Sequence, residues 1–129
     1  MIILKVEPGK APERMEISGD LTSMQKVVGG DIQAIYPFEE PIALVCNEEG
    51  KLDGLPLNRA LRDEDDKIYD VIAGTFFLCG APPEEDHFTS LSESQIQKLD
   101  ALFHTPEIFI RLNGRLISIP VVDSNSEQS

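Results

Sequence analysis

Residues Lys67–Gly80 read KIYDVIAGTFFLCG, and Pro41–Asn47 read PIALVCN. The first holds the longest apolar stretch in the chain, Ile68 to Cys79. It predicts one long strand, or two strands bent at Gly74, because a glycine inside a strand marks a bulge or a close backbone approach. The second is a continuous apolar run ended by the turn residues NEEGK, which predicts a central strand. A core built on these two segments is a sheet.

Toward the N-terminus, MIILKVEP is rich in β-formers and stops at the turn signal Pro8-Gly9, with Arg14–Ser18 as its returning partner. Leu21, Met24, Val27 and Val28 then share one helical face, with Asp20 as N-cap and Gly29-Gly30 as the stop. DIQAIYPF alternates as a strand does until Pro37. Toward the C-terminus, the prolines of APPEEDHFT exclude a regular helix. Ser92 and Gln95 form a capping-box pattern ahead of Ile96, Leu99, Leu102 and Phe103, and Pro106 limits the helix that these residues define. Asn113-Gly114 lies between two β-rich arms and predicts a hairpin.

These elements predict a single α+β domain over residues 1–121: a mostly antiparallel sheet with two helices packed on one face. Residues 122–129, almost without apolar content, predict a disordered tail. The expected core includes Leu44, Val45, Val71, Phe76, Leu99, Leu102 and Ile119. Gly54, Pro56 and the acids Asp63–Asp66 give Leu52–Asp66 the signature of an ordered loop.

The chain has 129 residues, enough for one core without disulfides or metal, and a formal charge of −12. Such a charge repels bare nucleic acid and anionic membranes. It suits either simple solubility or an acidic face that imitates a phosphate backbone. Cys46 and Cys79 lie in apolar runs and fit neither a zinc spacing nor a secreted disulfide scaffold. No signal peptide or membrane span is recognisable at the sequence level, so a cytoplasmic protein is expected.

Catalytic chemistry finds little footing. His87 and His104 sit in no metal-ligand motif. RDEDDKIYDVIAG lacks the central glycine and closing Glu of an EF-hand loop. There is no nucleophile elbow, and Gly29-Gly30 precedes a strand, unlike a phosphate-binding loop. No catalytic residue, metal or cofactor is expected.

One stretch points to binding. LNRALRDEDD, Leu57–Asp66, sets Asn58, Arg59 and Arg62 beside four consecutive acids in a chain with only 11 Lys and Arg residues. Arginine suits bidentate capture of phosphate or carboxylate, and an Asn amide reads a base or ribose edge. Asn58, Arg59 and Arg62 are therefore candidates for an anion clamp, with a backbone N–H of Gly74 and the hydroxyl of Thr75 assisting. The alternative is that both arginines neutralise Asp63–Asp66 and shape the loop.

The segments VEPGKAPE, VGGDIQAIYPF, Ile42–Gly80 and the late TPEIF resemble an uncharacterised family of small acidic proteins. That family is carried by phages, plasmids and conjugative elements of Gram-positive bacteria. The resemblance extends over nearly the whole chain except the tail and is strongest from Val45 to Gly80. It implies a mobile-element accessory protein, with counter-defence as the expected role, and supplies no reaction or catalytic residue. Two mechanisms suit such a protein. The expected one is sequestration of an anionic, nucleotide-derived immune signal, as a homo-oligomer with pockets between subunits. The alternative is an acidic, DNA-mimicking inhibitor of a host defence or nucleic-acid enzyme. Neither involves direct nucleic-acid or membrane binding, and both act in the host cytoplasm.

Overall fold

The structure is a computed structural model that describes residues 1–121. The tail expected at 122–129 lies outside the described residues. In chain order the elements are β1 (Ile2–Val6), β2 (Glu13–Glu16), α1 (Leu21–Val28), β3 (Ile32–Ile35), β4 (Ile42–Asn47), β5 (Leu57–Arg62), β6 (Ile68–Ala73), β7 (Phe76–Gly80), α2 (Glu93–Phe103), β8 (Glu107–Leu112) and β9 (Arg115–Pro120).

Five strands form the main sheet in the order β2-β1-β7-β4-β3, with antiparallel pairing throughout. The hairpins β5–β6 and β8–β9 form two further two-stranded sheets. The chain is thus an α+β domain with a mostly antiparallel sheet. The long apolar stretch is two strands broken at Gly74, whose φ of 79° is the left-handed turn that glycine takes most easily. The break sends β6 and β7 into different sheets.

The two helices do not share a face. Ile3, Val45, Phe77 and Cys79 meet Met24 and Val28 of α1. Leu4, Val6, Leu44, Phe76 and Leu78 meet Ile96, Leu99 and Phe103 of α2, together with Leu61 of β5 and Ile72 of β6. The reason lies in the central strands. Every residue of β4 and β7 is buried, so both sheet faces need cover, and a continuous apolar run is the signature of a strand covered on both sides. Each large aliphatic or aromatic side chain buried in this way is worth about 1.5–3 kcal/mol.

The helix ends follow the sequence. The Asp20 carboxylate accepts the Ser23 amide at 2.8 Å, and α1 ends at Gly29 with φ 79°. At α2 the Ser92 Oγ accepts the Gln95 amide while the Gln95 side chain accepts the Ser92 amide, completing the capping box. Asn113 and Gly114 both have positive φ, as a two-residue primed turn requires.

Besides the shared helix face, three expectations need correction. Leu57–Arg62 is a strand rather than part of a loop. Leu102 is exposed, because the buried stripe of α2 runs through Ile96, Leu99 and Phe103, and one residue turns a helix by about 100°. Ile119 is exposed because β8–β9 packs only one of its faces on the body.

Candidate functional site

A bulge in β5 decides the fate of the candidate residues. Leu57 pairs with Ala73 and Arg59 with the adjacent Ile72, so Asn58 is an extra residue in the ladder. A bulge breaks the alternation of sides. Here it turns two consecutive polar side chains, Asn58 and Arg59, into the interior.

Arg59 is 1% exposed, and its guanidinium is held by protein oxygens. Its Nε–H and one Nη2–H donate to the Phe103 carbonyl at 3.0 and 2.9 Å, the other Nη2–H to the Lys10 carbonyl at 2.6 Å, and Nη1 to the Asn58 Oδ1 at 2.8 Å. Phe103 is the last residue of α2, whose C-terminal carbonyls carry partial negative charge and favour a cation. Burial pushes the Arg59 pKa down, and the nearby Glu107 carboxylate opposes that shift.

Asn58 is fully buried, and its Nδ2 donates to the carbonyls of Val6 at 2.9 Å and Gly74 at 2.8 Å. It thereby fastens the β5–β6 hairpin to β1. The Gly74 amide donates to Pro56 at 2.7 Å, so both backbone groups of Gly74 have internal partners. A Cβ added at Gly74 would lie 2.7 Å from a Leu55 methyl. Thr75 is half-buried in the bend between β6 and β7. The structure therefore brings Asn58, Arg59 and Gly74 together as an internal clasp.

Arg62 points elsewhere. It is about one-third exposed and pairs with Glu107 at 2.7 Å and, more loosely, with Asp66 at 3.8 Å. The Glu107 carboxylate also accepts the Ala60 amide at 3.1 Å and the Ser118 hydroxyl. This network ties the β8–β9 hairpin to β5. Glu107 belongs to the site although nothing near it in the sequence marks it. Its partners come from residues 45 or more positions earlier and 11 later.

Asp63–Asp66 form the β5–β6 turn. The Asp63 carboxylate accepts the amides of Asp65 and Lys67, both at 2.9 Å. This turn borders two depressions. One, of about 320 Å³, lies between Phe38, Leu61, Arg62, Tyr69, Leu102 and Glu107. The other, of about 580 Å³, lies between Glu39, Arg62, Asp63, Glu64, Asp65 and Tyr69. Tyr69 is 56% exposed. A third depression sets Tyr36, 63% exposed, beside Glu85, Asp86 and His87. Each tyrosine thus stands in an acidic, concave surface.

Residues 1–104 match the model of a family described as Domain of unknown function (DUF3846). The chain belongs to the DUF3846 family. The match ends one residue past α2, so the β8–β9 hairpin lies beyond the part of the chain that the family model covers. No curated protein and no solved structure matches the chain.

No group of three or more His, Cys, Asp and Glu side chains among the described residues is arranged to hold a metal ion. Cys46 and Cys79 are buried free thiols. Burial pushes the Cys79 pKa up to about 12, and burial followed by the charge of Asp70 raises that of Cys46. Both shifts oppose formation of a nucleophilic thiolate. No described helix is long and apolar enough to cross a membrane.

Proposed function

We propose that this DUF3846 protein is a non-catalytic binding protein that covers an arginine- or lysine-rich surface of another protein. In the setting of a mobile element, that target is a host defence or nucleic-acid enzyme met in the host cytoplasm. The observation that carries the reading is the Tyr69 depression. Four carboxylates, Glu39, Asp63, Glu64 and Asp65, surround an exposed aromatic ring, and the one arginine at its edge is already paired with Glu107. An incoming guanidinium finds carboxylates for charge-assisted hydrogen bonds and a ring face for a cation–π contact. The Tyr36 depression repeats the combination with Glu85 and Asp86. Tyrosine is enriched among residues that dominate binding energy, and a net charge of −12 steers the chain toward basic grooves.

Sequestration of a nucleotide-derived signal has less support. A phosphate entering beside Arg62 meets Asp63, Asp66 and Glu107, and the Arg59 guanidinium faces inward to carbonyls.

Capture on the immobilised chain from bacterial lysate tests the proposal. The expected result is a nucleic-acid-handling protein that raised salt or added duplex DNA releases. A Glu64→Lys, Asp65→Lys, Glu85→Lys, Asp86→Lys variant is expected to lose it. Capture indifferent to DNA rules out occupation of a nucleic-acid groove. Release of an intact nucleotide on heat denaturation of the purified protein would favour sequestration instead.

A further inference from the structure

The β8–β9 hairpin has two unlike faces. Its register pairs Glu107 with Pro120, Phe109 with Ser118 and Arg111 with Leu116 on one side. On this side Glu107 and Ser118 are bound to Arg62 of the body. The other side carries the pairs Ile108–Ile119, Ile110–Ile117 and Leu112–Arg115. Ile108, Ile110, Leu112 and Ile119 are between 41% and 54% exposed, Ile117 is half-buried, and the hairpin pairs with no other strand of the described chain. A two-stranded ribbon with an open aliphatic face is marginal by itself in water.

We propose that this face packs against the same face of a second copy of the chain, the two hairpins antiparallel about a two-fold axis near Ile110 and Ile117. Charge selects both the occupant and the direction. Residues 107–120 contain two arginines and one glutamate, whereas the whole chain carries −12. Arg111 and Arg115 at the tip form no ion pair among the described residues. The hairpin base adjoins the acidic β5–β6 turn, because Arg62 pairs with both Glu107 and Asp66. A parallel stack would set Arg115 against Arg115. An antiparallel stack carries each tip along a strand of roughly 20 Å to the acidic base of the other hairpin. The contact is isologous, so each apolar row and each tip-to-base attraction occurs twice. The remainder of a second copy is strongly acidic and complements this locally basic segment.

Light scattering coupled to size exclusion, on the whole chain, tests the proposal. The expected mass is twice the 14.3 kDa of one chain, falling toward that of the monomer on dilution. Ile110→Asp removes an apolar contact from both copies and is expected to weaken dimerisation at least about a hundredfold. Its circular dichroism should be unchanged, since Ile110 is exposed. Arg115→Glu is expected to weaken the dimer at low salt, with the difference closing as salt is raised. A wild-type chain that stays monomeric at about 100 μM, well above the Kd of a stable dimer, overturns the proposal. So does an Ile110→Asp variant that dimerises as the wild type does. An Arg115→Glu dimer as tight as the wild type at low salt overturns the antiparallel arrangement.

Discussion

The Arg59 guanidinium donates twice to the carbonyl oxygen of Phe103, from Nε at 3.0 Å and Nη2 at 2.9 Å. A buried cation thereby caps α2, and the same side chain reaches the Lys10 carbonyl and the Asn58 amide oxygen. Arg59 thus joins the N-terminal turn, the bulge of β5 and the end of α2.

Removing that cation leaves acceptors without donors. An Arg59→Ala substitution strands the carbonyls of Phe103 and Lys10 and the Asn58 Oδ1, at about 1–3 kcal/mol for each acceptor that water fails to reach. We expect a loss of at least about 3 kcal/mol in urea unfolding. A loss below about 1 kcal/mol would show that the clasp is not a principal source of stability.

Asn58 and Arg59 act as a unit. Asn58→Ala is expected to destabilise, since its amide donates to the carbonyls of Val6 and Gly74. The double variant should lose less than the sum of the single ones, with a coupling of about 0.5–3 kcal/mol, because one hydrogen bond joins the two residues. Strict additivity in a double-mutant cycle contradicts the clasp.

The Arg62 network makes a different prediction. Glu107→Ala removes the acceptor for the Ala60 amide and the partner of Arg62. Amide exchange at Ala60 and along β8–β9 should accelerate, with little change in β4 and β7, because opening is local to the hairpin. Unchanged exchange at Ala60 would show that the hairpin is held by other contacts.

Thiol chemistry reports on the core. Cys79, with its pKa pushed up to about 12, and Cys46, also raised, should resist alkylation in the native state at pH 8 and react fully once unfolded. Rapid native modification of either thiol at a rate independent of unfolding contradicts the burial described above. Replacing both with Ala should leave partner binding intact.

His87 has a pH signature. Its hydrogen bond with Asp86 raises its pKa above the ordinary histidine value, with the charge of Glu85 adding to the effect. The imidazolium–carboxylate attraction is therefore fully present below the unfolded-state pKa and is lost as pH rises through the folded-state value. An NMR titration should find a raised value in the wild type and a lower one in Asp86→Asn. Equal values would exclude the pairing.

The sequence by itself determined the elements whose signals are local. The hairpin turn at Asn113-Gly114 needs two residues with positive φ, the capping box needs Ser92 and Gln95 three positions apart, and β4 needs an unbroken apolar run. Each of these is satisfied within a few residues of the chain, so each was legible. The sequence also marked Asn58 and Arg59 as unusual, but their use depends on groups far away. Whether a guanidinium faces solvent or the end of a helix is decided by where Phe103 and Lys10 arrive, 44 and 49 positions off in the chain. The bulge that turns both side chains inward leaves no periodic trace, and two adjacent polar residues read as loop. The placing of the helices on opposite faces was implicit in the doubly buried strands β4 and β7. Only the packed sheet, with each face needing its own cover, made that requirement visible. The same holds for the exposed face of β8–β9: alternation identifies the strands, and tertiary packing decides which side is left exposed.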